Sequence, residues 1–350
     1  MLGEAWRNLV SGTTRAIGLA LALALGVGAP AVLDLVAVGG LQDDSLAFEQ
    51  AGAAIRTVTA EGLVVGEDCD RLAESEGVTS SGAIRAGAPI TVSAVPDDPI
   101  PSYLASPGLA AVLGVRTTGG AGVWVPDSLA SLLGVTEGSI LATTRGPMRV
   151  AGRFAYPEDG RDARLGYAIV VPERATARFD ECWAQSWPGA SGLADQLRWA
   201  GQVVPGDSTP MTIGQLNNAM GPIYDPGAVL DTRVTRWGWL GSGVVGLSLG
   251  YVAARRRRLE YASALHAGQA RAPQVLTALV ETMVWVSVAL TVAACVAVLV
   301  AGYRLPEDHL IVLLGEVPAA VAGGLGAILG VVAGVVMARE RHLFAYFKDR

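Results

Sequence analysis

The sequence predicts an α-helical membrane protein with four transmembrane helices in a 1+3 arrangement and an α+β extracytoplasmic domain between helices 1 and 2. Three observations carry that expectation: apolar residues gathered into blocks, arginines gathered at the ends of those blocks, and a long acidic segment after the first. Hydrophobic residues make up 51% of the 350 and charged residues only 17%, against about 25% charged in an average soluble domain. Mean hydropathy is +0.41. The apolar excess falls in Ala16–Val38, Trp237–Ala253, Pro273–Tyr303 and Leu310–Met337. Each reaches the roughly 17–25 residues that carry a helix across about 30 Å of hydrocarbon, and the second is the shortest.

From the N-terminus, Leu2, Trp6, Leu9 and Val10 fall on one helical face, with Glu4, Arg7 and Asn8 off it. That pattern predicts an amphipathic helix over 1–15, resting on the inner membrane surface. Arg15, the run Ala16–Gly28 and Ala29-Pro-Ala31 also fit a cleaved signal peptide. The apolar run continues through Leu35–Val38, however, so a retained first span over 16–38 is expected. The topology is the same either way. Arg7 and Arg15 precede the first block, Arg255–Arg258 and Arg271 lie between the second and third, and Arg339, Arg341, Lys348 and Arg350 follow the fourth. Arginine-rich flanks stay in the cytoplasm. This puts both termini, the link 255–272 and the tail 338–350 inside, and 39–234 with a short turn at 304–309 outside, around spans 235–254, 273–303 and 310–337. The expected location is the cell membrane. A single lysine among 26 basic residues points to a GC-rich genome, and a bacterial cell membrane is expected.

The outer segment holds 23 acidic residues against 13 arginines, a net charge of −10. Nucleic acid is therefore a poor partner for it. Candidate strands are Ile55–Val65, Ile90–Val95, Ser139–Thr143, Met148–Phe154 and Tyr167–Val171, rich in β-branched residues and bounded by Gly or Pro. Gln42–Arg56 is expected to rise as a helix from the first span. Asp127 is placed as the N-cap of a helix Ser128–Leu133 stopped by Gly134, and Thr209 caps a second helix with Pro210 at its first position. Pro96–Pro107 and Gly221–Gly227 read as loops. Cys69 and Cys182 are the only cysteines outside, where thiols oxidise, and a disulfide between them is one reading. It would close a loop worth up to about 4–5 kcal/mol in the chain-entropy model. Two separate buried thiols are the other.

Little here suggests catalysis. All three histidines, His266, His309 and His342, lie outside 39–234, so that domain has no histidine triad or histidine-bearing zinc site. Glu67, Asp68 and Asp70 read as a solvated acidic loop before they read as a carboxylate-pair hydrolase. No phosphate-binding loop of the G-x-x-x-x-G-K-[ST] form is present. No cofactor is expected in this chain, and any ATP must be bound by another subunit.

The link between the second and third spans reads Arg255-Arg-Arg-Arg-Leu-Glu-Tyr-Ala-Ser-Ala-Leu-His-Ala-Gly268. Helical spacing aligns Leu259, Ala262 and Leu265, with Gly268 as the stop and Pro273 opening the next span. The arginines serve as topology anchors on the plainest reading. The stretch also resembles the cytoplasmic segment of FtsX/MacB-type (type VII) ABC transporter permeases. Arg256-Arg257, Glu260, Ala264-Leu265, Gly268 and Glu281 occupy matching places, and Glu4-Ala-Trp-Arg-Asn-Leu9 resembles the family's entry helix. Val125–Val135, Gly152-Arg-Phe and Ala168–Pro172 are similar to its outer domains. Gly268-Gln-Ala-Arg271 departs from the family's Gly-Ala-Ser/Thr turn.

The resemblance implies a permease subunit without enzymatic activity, working with a separate ABC-type ATPase that binds ATP and Mg. It implies a dimer, with an identical copy or a paralogous permease, surrounded by membrane lipid. Arg256, Arg257, Glu260, Leu265 and Gly268 would be the ATPase-coupling residues. The implied role is export of a peptide, lipid-linked or drug-like substrate. Mechanotransmission to a cell-wall hydrolase or sensor, through an outer partner protein, is the alternative, and a membrane-anchored binding module without an ATPase is a third.

Moving helices need tight packing. Ser242, Gly246 and Gly250 in the second span, and Ala322, Gly326, Gly330 and Gly334 in the fourth, recur at four-residue spacing that lets backbones approach closely. Glycine is also simply frequent here, with 44 in the chain. Asp34, Glu281 and Glu316 are ionisable groups inside apolar spans. Interfacial hydration accounts for Asp34 and Glu316 near the outer boundary, and Glu281 is placed to pair with an arginine of Arg255–Arg258.

Overall fold

The computed structural model describes residues 3, 7–8, 10–12, 15–117, 119–187, 192–200, 211–306 and 308–340. Leu2, Glu4, Trp6 and Leu9 of the expected entry helix, the Thr209–Pro210 cap, and Arg341, His342, Lys348 and Arg350 lie outside the described residues. The chain divides into a helical unit, Met1–Gln42 with Gly227–Arg350, and a sheet unit, Asp43–Pro226.

Helix α1 (Ala16–Gln50) is uninterrupted over 35 residues, so the helix expected over Gln42–Arg56 is the continuation of the first apolar block, and it stops at Gln50, with Ile55 and Arg56 in the first strand. After a turn at 51–54 the chain builds one sheet from β1 (Ile55–Val65), β2 (Val78–Val92), β3 (Val95–Ala105), β4 (Arg116–Thr117), β5 (Val123–Pro126), β6 (Ile140–Thr143), β7 (Gly146–Phe154), β8 (Ile169–Pro172), β9 (Arg178–Ser186) and β10 (Thr212–Gln215). The order is β10-β1-β9-β2-β3-β8-β5-β7-β4, with β6 pairing β2 and β7. The β3–β8 and β5–β7 pairs are parallel and the others antiparallel. Short helices α2 (Gly66–Arg71), α3 (Leu109–Val112), α4 (Asp127–Leu133) and α5 (Leu193–Ala200) fill in around it.

β9 runs between β1 and β2 and buries Phe179, Cys182, Trp183 and Ala184. Its charged residues are accommodated by pairing: Glu181 meets Arg164 and accepts from Trp183 Nε1 at 2.8 Å. Cys69 of α2 and Cys182 of β9 are joined by a disulfide, with Cα atoms 5.7 Å apart and a sequence separation of 113. The oxidised reading of the two cysteines is thus the one realised.

Two expectations fail in the sheet. The strand placed at Ile90–Val95 is instead the end of β2, a turn and the start of β3, with Val92 opposite Val95. The loop placed over Pro96–Pro107 is largely β3. Prolines are tolerated in this strand because β8 joins it only from Ser102 onward, and its pairing with β2 is irregular near Ile100. The proline-bearing half therefore has one free edge, where a missing N–H costs no ladder bond. At Asp127 the correction is local. It is the first residue of α4 rather than its cap, and its carboxylate is held by Arg116 and Arg153 at 2.7 and 2.8 Å. Gly134 does end the helix, in the left-handed region at φ 65°.

The helical unit resumes with α6 (Pro226–Thr232), a 3-10 turn at Val234–Trp237, and then α7 (Gly238–Arg256), α8 (Arg258–His266), α9 (Arg271–Arg304), α10 (His309–Gly315) and α11 (Val317–Val336). Among the described residues, three segments are long and apolar enough to cross a membrane: α1, α9 and His309–Val336. Helix α7, at 19 residues, is not one of them. Five glycines and two terminal arginines dilute its apolar character. The fourth apolar block is broken at Glu316 into α10 and α11, because Pro318 lacks the N–H that would continue the ladder.

Candidate functional site

The bend between α7 and α8 is organised by Arg257. Its backbone departs from helical geometry at φ −103°, ψ 15°, and this ends one helix and starts the next. Its guanidinium reaches Glu281 of α9 at 2.5 Å and Glu260 at 2.8 Å, and lies over the Tyr261 ring at 5.6 Å. The Arg257 and Glu281 side chains are only 14% and 5% exposed. The second Glu281 oxygen accepts from Asn8 Nδ2 at 2.7 Å. Both carboxylate oxygens of a buried acid are thereby satisfied, the condition under which such a group is tolerated. Burial opposes the Arg257 charge, but Tyr261, Glu260 and Glu281 outweigh it and raise its pKa. Burial also pushes Tyr261 up to about 12, so the phenol stays neutral.

Beyond that anchor α8 turns one face inward, burying Tyr261 and Ala262, and leaves Glu260, Ser263 and His266 exposed, while Arg256 is exposed at the end of α7. Leu259 and Leu265 are half-buried. Gly268, at φ +87°, ends the helix in a conformation other residues rarely adopt, while its N–H bonds Leu265 O and that of Gln269 bonds Ala264 O. A polar cavity of about 90 Å³ beside the bend is lined by Asn8, Glu260, Gln269, Gln274 and Glu281, among others. Nε2 of buried Gln274 has no acceptor among the described residues.

Of the residues singled out for ATPase coupling, Glu260 is exposed and Leu265 half-buried on α8, Arg256 is the exposed last residue of α7, Gly268 lies just past the end of α8, and Arg257 is turned inward. Glu281 pairs with Arg257 of the arginine run. Asn8, expected on a solvated face, is instead a partner of Glu281. Nothing in its sequence neighbourhood signals that contact across 273 positions.

Of the other two carboxyls inside apolar blocks, Asp34 is buried against a partner. Asp34 is 7% exposed and pairs with Arg233 Nε at 2.7 Å, and Glu316 is half-buried. Arg233 lies four residues before the second apolar block, and nothing near it in sequence signals Asp34, 199 positions away in the first.

The small-residue stripes of α7 and α11 face each other. A Cβ on Gly246 would overlap the Gly323 carbonyl, one on Gly250 the Ala327 carbonyl, and ones on Gly326 and Gly330 the carbonyls of Gly243 and Leu247. Gly334 meets Ala254, Ala322 lies against Gly243, and buried Ser242 donates to Gly26 O at 3.4 Å. Gly243, Gly323 and Ala327 belong to this seam as well, one position off the stripes picked out by spacing.

No family model matches the chain, and no curated protein matches it. Solved structures that it resembles include the periplasmic region of MacB from Actinobacillus actinomycetemcomitans, with a TM-score of 0.34, 13% identity, and coverage of 48% of this chain and 91% of that one. Another is the extracellular domain of the noncanonic ABC-type transporter YknZ from Gram-positive bacteria, with a TM-score of 0.32, 13% identity, and coverage of 46% of this chain and 100% of that one.

Proposed function

We propose that this chain is the membrane permease subunit of an ABC-type transporter. In this reading α1, α7, α9 and α10–α11 span the cell membrane, both termini and α8 face the cytoplasm, and the sheet unit lies outside. A separate ATPase binds ATP and Mg and docks on α8, and the permease works as a dimer to drive export of a peptide, lipid-linked or drug-like substrate. The observation that carries the proposal is the construction of the α7–α8–α9 bend. A short helix is fixed at its base by the buried Arg257–Glu281 pair, stopped by a left-handed Gly268, and exposed along Glu260, Ser263 and His266. A push on such a lever reaches α9 through the ion pair and α11 through the glycine seam of α7. The disulfide supports placing the sheet unit in an oxidising compartment.

The test is affinity purification of the full chain from its native host in detergent, with protein identification and ATPase assay of the eluate. An ATP-hydrolysing companion is expected with the wild type and is lost with Leu265→Asp while the chain itself still purifies. Recovery of the same ATPase with Leu265→Asp, or of none with the wild type, rules the reading out.

A further inference from the structure

Within the sheet unit, a cavity of about 520 Å³ opens beside Trp187. Its size falls in the range of about 300–1,000 Å³ typical of small-molecule sites. One wall is aromatic. The rings of Trp187 and Tyr224 are within 8° of parallel with centroids 6.1 Å apart, and Phe48 packs 5.6 Å from each. Leu193 and Leu197 of α5 and Ile213 of β10 extend the apolar lining.

Arg56 of β1 is the one charged residue among the described residues lining this cavity. Its guanidinium donates to Gln215 Oε1 at 3.4 Å and to the Pro222 carbonyl, both neutral acceptors, and forms no ion pair among the described residues. A guanidinium carries five N–H donors, so donors remain after these two bonds. Partial burial already works against its charge and lowers its pKa. An incoming anion would relieve that cost, and a cation would add to it. The aromatic faces supply stacking surface for a planar apolar body, and the guanidinium supplies planar, bidentate recognition of a carboxylate or phosphate.

We infer that this cavity is a binding site for a small amphipathic anion with a flat aromatic body, stacked along the Trp187–Tyr224 wall with its acidic group on Arg56. The site does not depend on the ATPase partnership.

The experiment is isothermal titration of the full chain in lipid nanodiscs, with empty nanodiscs as the blank. The probes are 2-naphthoate, its neutral counterpart 2-naphthamide, and decanoate as an anion with a flexible chain. Saturable binding of 2-naphthoate at one site per chain is expected, with 2-naphthamide and decanoate each weaker by tenfold or more. Arg56→Gln should weaken 2-naphthoate by about tenfold or more, the cost of one charge-assisted contact. Arg56→Lys should retain part of the affinity and Trp187→Leu should lose most of it. Absence of saturable 2-naphthoate binding, equal affinity for the amide, tighter binding of decanoate, or full affinity in Arg56→Gln would each overturn the assignment. The wild-type probe comparisons decide the question even where a variant fails to fold.

Discussion

Single residues decide whether the bend at Arg257 holds. Arg257→Met leaves the Glu281 carboxylate buried with only Asn8 as a partner, a loss of about 3–5 kcal/mol for a broken buried pair. The double variant Arg257→Met/Glu281→Met removes both charges and should recover much of that. Thermal unfolding of the nanodisc-embedded protein reads the order: wild type highest, single variant lowest, double variant between or near wild type. In the sheet unit, Arg161 beside Asp159 holds that carboxyl below its ordinary value of 3.8. A depressed acid contributes its stability above the unfolded pKa and loses it as pH falls through the folded one. Asp159→Asn should therefore lower the melting temperature of the sheet unit at pH 6–7, and the difference should fade as pH drops below about 3.8. Sequence alone gives part of this scale. The Glu281–arginine pairing follows from a charge inside an apolar run beside an arginine cluster. Asn8, Arg233 and Gln274 are ordinary polar residues whose roles come only from what the fold brings against them.

At the scale of elements, the seam between α7 and α11 is a backbone-to-backbone contact with no room for a side chain. Gly246→Val or Gly330→Val should abolish stable folding or sharply lower the yield of monodisperse protein on size-exclusion chromatography. Gly241→Ala, with open space around its Cβ position, should be silent. The four-residue spacing of small residues was legible before any coordinates, as were the apolar blocks, β1 and the Gly134 and Gly268 stops. What stayed hidden were strands whose identity is tertiary. β3 carries prolines that only an edge position permits, and β9 carries Asp180 and Glu181 in a central strand because Arg164 and the Gly62 N–H receive them. The Cys69–Cys182 bond ties α2 to that strand. Its removal by Cys69→Ser/Cys182→Ser should cost up to about 4–5 kcal/mol, seen as earlier urea unfolding of the sheet unit without change in the helical unit.

For the whole molecule, the expected architecture came from the distribution of charge and apolar length, both of which the membrane imposes directly. The second expected span, at α7, is the least apolar part of it, since glycines that permit close packing also dilute hydropathy. The proposal joins these parts into one device, in which work done on α8 in the cytoplasm appears as movement of the sheet unit outside. Pulsed electron–electron resonance tests that claim most directly. Spin labels are placed at Leu132→Cys in the sheet unit and Val252→Cys in α7, on a Cys295→Ser background, in the full chain co-purified with its ATPase in nanodiscs. ATP with vanadate should shift the label-to-label distance distribution relative to the nucleotide-free state. An unchanged distribution, with ATP turnover verified in the same sample, would contradict the account.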